Sequence, residues 1–285
     1  MTYALITGAS SGIGLELAKL FAIDYDLILV SRNQERLEAI ASGLDCKCIC
    51  IAKDLSDLSQ VKALVDETRD LDIEILVNNA GFGEHGEFAK LDADRQIEMI
   101  NLNISALTYL CHAFASRIIK SLLEKAPDAR LASFCEPELT EPSMRIHKNE
   151  RNAAGGPLQK GSILNIASVA AYAPGPMMAT YYSTKAYVLN FSFALAEELK
   201  PKGIQVSVAC PGPTTTNFGK VAKVDKSIPF KVSMSGERVA RIIIDEFKQG
   251  KTLIITGFRN KFLVALIKLM PRGFSSWVNY LLLKT

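Results

Sequence analysis

A chain of 285 residues, 48% of them hydrophobic, with a formal net charge of +3, has enough apolar material for one large α/β core and too little charge excess for a nucleic-acid footprint. Both signs of charge are mixed along it, so small ligands are the expected partners and nucleic acid is not. Six cysteines and a first strand starting at Tyr3, with no signal-peptide pattern before it, fit a reducing cytoplasm.

Tyr3–Thr7 is a short apolar run that leads into Gly8, Gly12 and Gly14 and then an amphipathic stretch from Leu15 to Phe21, which reads as strand, glycine turn, helix. Glycine permits unusual backbone angles and close approach, and the free N–H groups of a helix start suit a pyrophosphate. Gly8, Ser10, Ser11, Gly12, Ile13 and Gly14 are therefore the candidate cradle, although the Gly-x-x-x-Gly-x-Gly spacing departs from the commoner dinucleotide fingerprint and a plain tight turn is the simpler alternative. The second strand, Asp26–Val30, runs into Ser31, Arg32 and Asn33 with no carboxylate to take a ribose 2′-hydroxyl. A guanidinium suits a 2′-phosphate, so Arg32 points to NADP(H); the alternative is a solvated residue beside a helix cap at Asn33.

After the third strand, Cys48–Ile51, Asp54 is placed to touch an adenine edge or to serve the next helix start, where Ser56 and Asp57 are also good caps. Cys46, Cys48 and Cys50 alternate along this strand; neighbouring thiols are expected on opposite faces, and no metal is expected there. Glu74–Val77 is a fourth strand, followed by Asn78, Asn79, Ala80 and Gly81. Further apolar runs near Ile163, Val206 and Leu253 bring the total to about seven strands, alternating with helical patterns. That pattern predicts a doubly wound, Rossmann-type parallel sheet with helices on both faces in a single domain, spanning residues 1–257.

The strand at Ser162–Ala167 delivers Ser168 to the carboxyl edge of the sheet, where open α/β sheets bind ligands. Tyr181 and Lys185 follow, four residues apart on a predicted helix and so on nearly one face. A fixed cation beside a phenol favours its anion, so Lys185 is expected to lower the pKa of Tyr181 and make it a usable proton donor and acceptor. Tyr182 lies about 100° further round the helix and is the lesser candidate. Tyr280 and Lys284 repeat the spacing in the C-terminal tail, without a hydroxyl at a strand edge before them, and are read as coincidence.

Taken together, Thr7 to Gly14, Asn78 to Gly81, Asn103, Ser168, Tyr181, Lys185, Pro211 and Gly212 make the chain resemble the short-chain dehydrogenase/reductase family over nearly its whole length. The resemblance implies hydride transfer between NADP(H) and a carbonyl or alcohol, with Tyr181 as general acid/base and Ser168 hydrogen-bonded to the reacting oxygen. It further implies that Lys185 holds the nicotinamide ribose and that Asn103, with Asn101 as the nearby competitor, positions a water joining Lys185 to solvent. Asn79, Ala80 and Gly81 would border the adenosine side. Pro211, Gly212, Thr214 and Thr216 would meet the nicotinamide carboxamide, and helices carrying Asn103 and Tyr181 would pair subunits in a homo-oligomer.

Two segments depart from that pattern. Residues 125–160, with Pro127, Pro137, Pro142, Pro157, Gly155 and Gly156, read as a flexible insertion remote from the cofactor edge. Residues 258–285 are apolar but broken by Lys268, Pro271 and Arg272, too interrupted to span a bilayer. Two short amphipathic helices fit this extension, lying on a membrane surface, a partner subunit, the substrate cleft or the protein's own core. Phe82, Met177, Met178 and Phe218 beside the expected nicotinamide favour a hydrophobic substrate such as a fatty acyl ketone, a steroid or a retinoid-like aldehyde. The alternatives are a non-catalytic NADP(H)-binding regulator and a membrane-surface scaffold.

Overall fold

The computed structural model describes residues 2–124, 161–224 and 233–284; the expected insertion at 125–160 lies outside them. Seven parallel strands form one sheet: β1 (Tyr3–Thr7), β2 (Asp26–Ser31), β3 (Cys48–Ala52), β4 (Ile73–Asn78), β5 (Ser162–Ile166), β6 (Gln205–Cys210) and β9 (Leu253–Ile255). Their spatial order is β3-β2-β1-β4-β5-β6-β9, and β7 (Thr214–Thr215) and β8 (Met234–Ser235) pair separately. The doubly wound expectation holds, and each of the seven expected strands is present. All residues of β1, β2 and β5 are buried, as parallel strands covered on both faces require.

Side-chain alternation sorts these strands into two cores. Ala4, Ile6, Leu27 and Leu29 pack with Leu17 and Phe21 of α1 (Gly12–Phe21), Leu37 of α2 (Gln34–Ala41) and Ile243 and Phe247 of α8 (Gly236–Lys248). Leu5, Ile28, Val30 and Ile163 face the other way, onto α3 (Leu58–Glu67), α5 (Leu107–Glu124) and α6 (Ala179–Leu199). The expectation for the β3 cysteines is corrected here. Positions two apart share a face, so Cys46, Cys48 and Cys50 all pack against the first core, with the Cys46 and Cys48 sulfurs 3.7 Å apart.

Winding reverses at β1, whose neighbours are β2 on one side and β4 on the other. A crevice opens between their carboxyl ends, and the glycine turn and the Asn78–Gly81 turn meet in it. Asn79 joins them: its Nδ2 donates to the carbonyls of Thr7 (2.9 Å) and Gly8 (3.2 Å), while its backbone N–H and that of Ala80 donate to Thr7 Oγ1, both at 3.0 Å. Gly8 (φ 67°) and Gly12 (φ 58°) adopt left-handed angles that glycine takes without strain. At Gly14 the constraint is space, because a Cβ there would collide with Asn79 Nδ2 and the Gly8 carbonyl.

Further helices complete the site: α4 (Ala93–Ile100), a π-helical turn (Asn101–Ala106), α7 (Asn217–Val221), α9 (Phe258–Leu269) and α10 (Arg272–Leu283). Gly14→Ala should gain up to about 1 kcal/mol in helix propensity and lose more to overpacking, roughly 1–3 kcal/mol, since a backbone carbonyl cannot swing aside. A lowered urea-unfolding midpoint is the expected result.

Candidate active site

Every residue expected to bind the cofactor except Gly14 lines one continuous cleft of about 730 Å³ along the carboxyl ends of the strands, together with Ser168, Tyr181 and Lys185. Gly14 stands behind its wall, where it permits the approach of α1. Asn103 is also outside the lining, buried in the π-helical turn.

The glycine turn forms one end. Ser11 is the N-cap of α1 and makes no side-chain capping bond, which leaves its hydroxyl without a capping role beside the helix N-terminus. Arg32, exposed just after β2, lines this end; Asn33 caps α2 by accepting from Arg36 N at 2.8 Å. The helix cap expected at Asn33 is therefore present, beside an exposed Arg32. A second guanidinium, which sequence reasoning missed, lines the cleft as well: Arg36 Nε donates to Ser10 O at 2.7 Å. Its signal was its position in the first turn of the helix that Asn33 caps. Asp54 lines the cleft while accepting from Ser56 N (3.0 Å) and Ser56 Oγ (2.7 Å), and Asp57 caps α3.

Tyr181 and Lys185 lie in the centre of the cleft on α6, both buried, with Lys185 Nζ 5.9 Å from the Tyr181 ring centroid. Lys185 Nζ donates to Ile166 O at 2.8 Å, which ties α6 to the end of β5. Ser168 caps the short turn after β5, accepting from Ala170 N at 3.1 Å while its hydroxyl donates to Pro211 O at 3.4 Å, and it stands beside the Tyr181 phenol. The expected lowering of the Tyr181 pKa by Lys185 is not found. Burial pushes the phenol above its ordinary value against the opposing pull of Ser168, and burial pushes Lys185 down to about 8. Loss of water dominates at both groups, and neither is among the causes of the other's shift. Burial thus favours the protonated form of the Tyr181 phenol.

Asn103 braces this centre. Its Nδ2 donates to Phe82 O and Thr184 Oγ1, both at 3.0 Å, and its Oδ1 accepts from Phe82 N at 3.2 Å. The residue thereby fixes the turn after Gly81 to the helix that carries Tyr181. A π-helical turn is a common way to aim a side chain at a functional site.

In the Pro211–Thr216 segment, Pro211 O accepts from Val169 N at 2.9 Å, buried Thr214 donates to Gly212 O at 2.9 Å, and Thr216 caps α7. Phe82, Met178 and Phe218 line the cleft as expected, and Met177 packs just behind with a left-handed φ of 67°. The tail supplies the remaining wall. Leu263, Ile267, Val278 and Leu283 of α9 and α10 face the cleft, and Leu283 is buried in the apolar cluster that contains Tyr181, Met99 and Met178. His85 Nε2 lies 2.6 Å from Leu283 O, and Asn279 Nδ2 donates to Pro174 O at 2.8 Å. The second tyrosine–lysine pair is on the outside of α10, with Lys284 Nζ 5.3 Å from the Tyr280 ring and neither residue in the cleft lining.

A family model described as short chain dehydrogenase matches residues 2–123 and 157–226. Among curated proteins, the very-long-chain 3-oxoacyl-CoA reductase of Phaeosphaeria nodorum is 31% identical over 242 residues, which are 80% of this chain and 59% of that protein. The chain thus spans less than two thirds of that relative's length. The ketoacyl reductase HetN of Nostoc sp. is 28% identical over 273 residues, 93% of this chain and 82% of that protein. A solved short-chain dehydrogenase from Sphingobium yanoikuyae, in complex with NADPH, superimposes with a TM-score of 0.72 at 27% identity, covering 96% of this chain and 98% of that one.

Removing the Asn103 side chain leaves the half-buried backbone N–H and C=O of Phe82 without their partner and takes one bond from Thr184, whose hydroxyl still donates to Tyr181 O, at a cost of about 1–3 kcal/mol. Asn103→Asp, close in shape but unable to donate to Phe82 O, should lower the melting temperature at least as far as Asn103→Ala. A rescue by Asp in thermal unfolding would contradict this bracing role.

Proposed function

The chain belongs to the short-chain dehydrogenase family, and from that premise we propose that it is an NADP(H)-dependent reductase of hydrophobic ketones, most closely a 3-oxoacyl thioester of a fatty acid. The observation that carries the proposal is the convergence of Tyr181, Ser168 and Lys185 with the glycine turn in one cleft. Relatives named as 3-oxoacyl-CoA and ketoacyl reductases support the substrate class.

The residues present fit a nicotinamide dinucleotide. Gly8 and Gly12 lack the side chains that would obstruct the turn, the N-terminus of α1 presents backbone N–H groups, and Arg32 and Arg36 stand at the cleft end beyond β2. Two guanidiniums favour a 2′-phosphate over a bare ribose hydroxyl. When bound, the dinucleotide supplies the hydride that reduces the carbonyl carbon.

The chain's own residues then handle the oxygen. Ser168 and Tyr181 share one wall of the cleft, and in this reading both hydroxyls donate to one carbonyl oxygen. As negative charge builds there, the proton of the Tyr181 phenol moves to it and the product is a hydroxyl. The buried ammonium of Lys185 stabilises the phenolate left behind, a state in which its charge is needed most. Phe82, Met178, Phe218 and the leucines of α9 and α10 exclude water and hold an aliphatic chain.

Tyr181→Phe should keep the fold and lose roughly 10²–10⁴-fold in kcat, read as NADPH oxidation with 3-oxoacyl thioesters; equal activity of the two proteins would remove the general acid. Arg32→Ala and Arg36→Ala should each raise the KM for NADPH about tenfold or more, the worth of a charged hydrogen bond, while the KM for NADH changes little. Equal losses with both dinucleotides would remove the 2′-phosphate assignment.

A further inference from the structure

Nine of the sixteen large hydrophobic residues exposed among the described residues fall between Phe258 and Leu281. They share one side of each tail helix. Phe258 (82% exposed), Phe262 (65%) and Leu269 (84%) follow helical spacing along α9, and Phe274 (50%) and Trp277 (57%) do so on α10. The opposite faces are committed to the protein, through Val264 on α9 and Ser275 and Leu283 on α10. A patch of this kind marks an interaction surface.

Charge selects the occupant. From Phe258 onward the sequence has Arg259, Lys261, Lys268, Arg272 and Lys284 and neither Asp nor Glu. Lys261 is engaged by Glu246 at 3.0 Å, and Arg259 and Arg272 are exposed. A two-fold contact between two copies would set this patch against itself, cation facing cation with no carboxylate within the segment to compensate. An anionic lipid surface instead answers both properties, taking the apolar side chains among its acyl chains and the cations among its phosphates. Neither helix is long and apolar enough to cross a membrane, which fits helices that lie in the interface.

The patch also runs into the cleft. Leu263 and Leu266, 42% and 41% exposed, line the cavity that contains Tyr181 and belong to the same outer surface. We propose that α9 and α10 dock on an anionic phospholipid surface through Phe258, Phe262, Leu269, Phe274 and Trp277, so that the mouth of the cleft opens at the lipid and an aliphatic ketone enters without crossing water. The entry route rests on the substrate class proposed above; the docking does not.

Trp277 is the single tryptophan of the chain, so its fluorescence reports on this face alone. Added to the full chain, vesicles containing phosphatidylglycerol should shift its emission to the blue, and pure phosphatidylcholine vesicles should do so weakly. Replacing Phe262 and Leu269 together by Ser should abolish the shift, and replacing Arg259 and Arg272 together by Gln should weaken vesicle partitioning roughly tenfold or more. None of these four residues lines the cleft, and circular dichroism and the unfolding midpoint check that each variant folds. An emission maximum unmoved by phosphatidylglycerol vesicles overturns the proposal. So does a blue shift that appears without lipid as protein concentration rises, with a dimer in sedimentation, which would assign the face to a second copy. Because the readout needs no turnover, loss of ketone reduction and loss of lipid docking are separately visible.

Discussion

The closeness of two turns at the β1–β4 crevice is the constraint on which the rest depends. Thr7 and Asn79 exchange four hydrogen bonds across it with the help of Gly8 and Ala80, and Gly14 lets α1 begin against that junction. Once the turns are fixed, the N-terminus of α1 and the Asn78–Gly81 segment form a single wall. Gly81 itself is small enough to leave room for Asn103 Oδ1, which would meet a Cβ at 2.9 Å. Through Asn103 the same wall is tied to Thr184 on α6, and so to the helix that carries Tyr181 and Lys185. The glycine turn and the helix that carries Tyr181 thus belong to one hydrogen-bonded frame.

Burial sets the chemistry inside that frame. An exposed tyrosine beside a lysine would feel its charge weakly through water, whereas here both groups have lost their hydration and each is driven towards its neutral form. The protonated phenol is favoured, and the lysine charge counts for more across a region from which water is excluded.

The tail gives one segment two surfaces with different solvents. Leu283 and Val264 are as buried as core residues, while Phe258 and Leu269 are almost fully exposed a few residues away on the same helices. His85 against the Leu283 carbonyl and Asn279 on Pro174 O fix the tail to the catalytic body. Its apolar outer face therefore belongs to a structured wall of the cleft.

Much of this was legible in the residues. Near-continuous apolar runs marked all seven main strands, and the spacing of Gly8, Gly12, Asn79, Ser168, Tyr181 and Lys185 marked residues that line one cleft, since strand and helix periods are local properties that each residue carries with it. What was misread depended on environment or on facing. Lys185 was expected to lower the Tyr181 pKa, but water loss around the pair is a product of packing. The β3 cysteines were assigned to opposite faces, although a period of two places them together. Arg36 went unnoticed because its role depends on where α2 leads it, back to Ser10. The sequence by itself determined which elements form and which groups can do chemistry. Only the tertiary structure decided that α9 and α10 turn back so that Leu283 lies beside Met99 and Tyr181, because contacts across nearly two hundred residues, such as His85 with Leu283, arise from the packing of whole layers and leave no trace in local spacing.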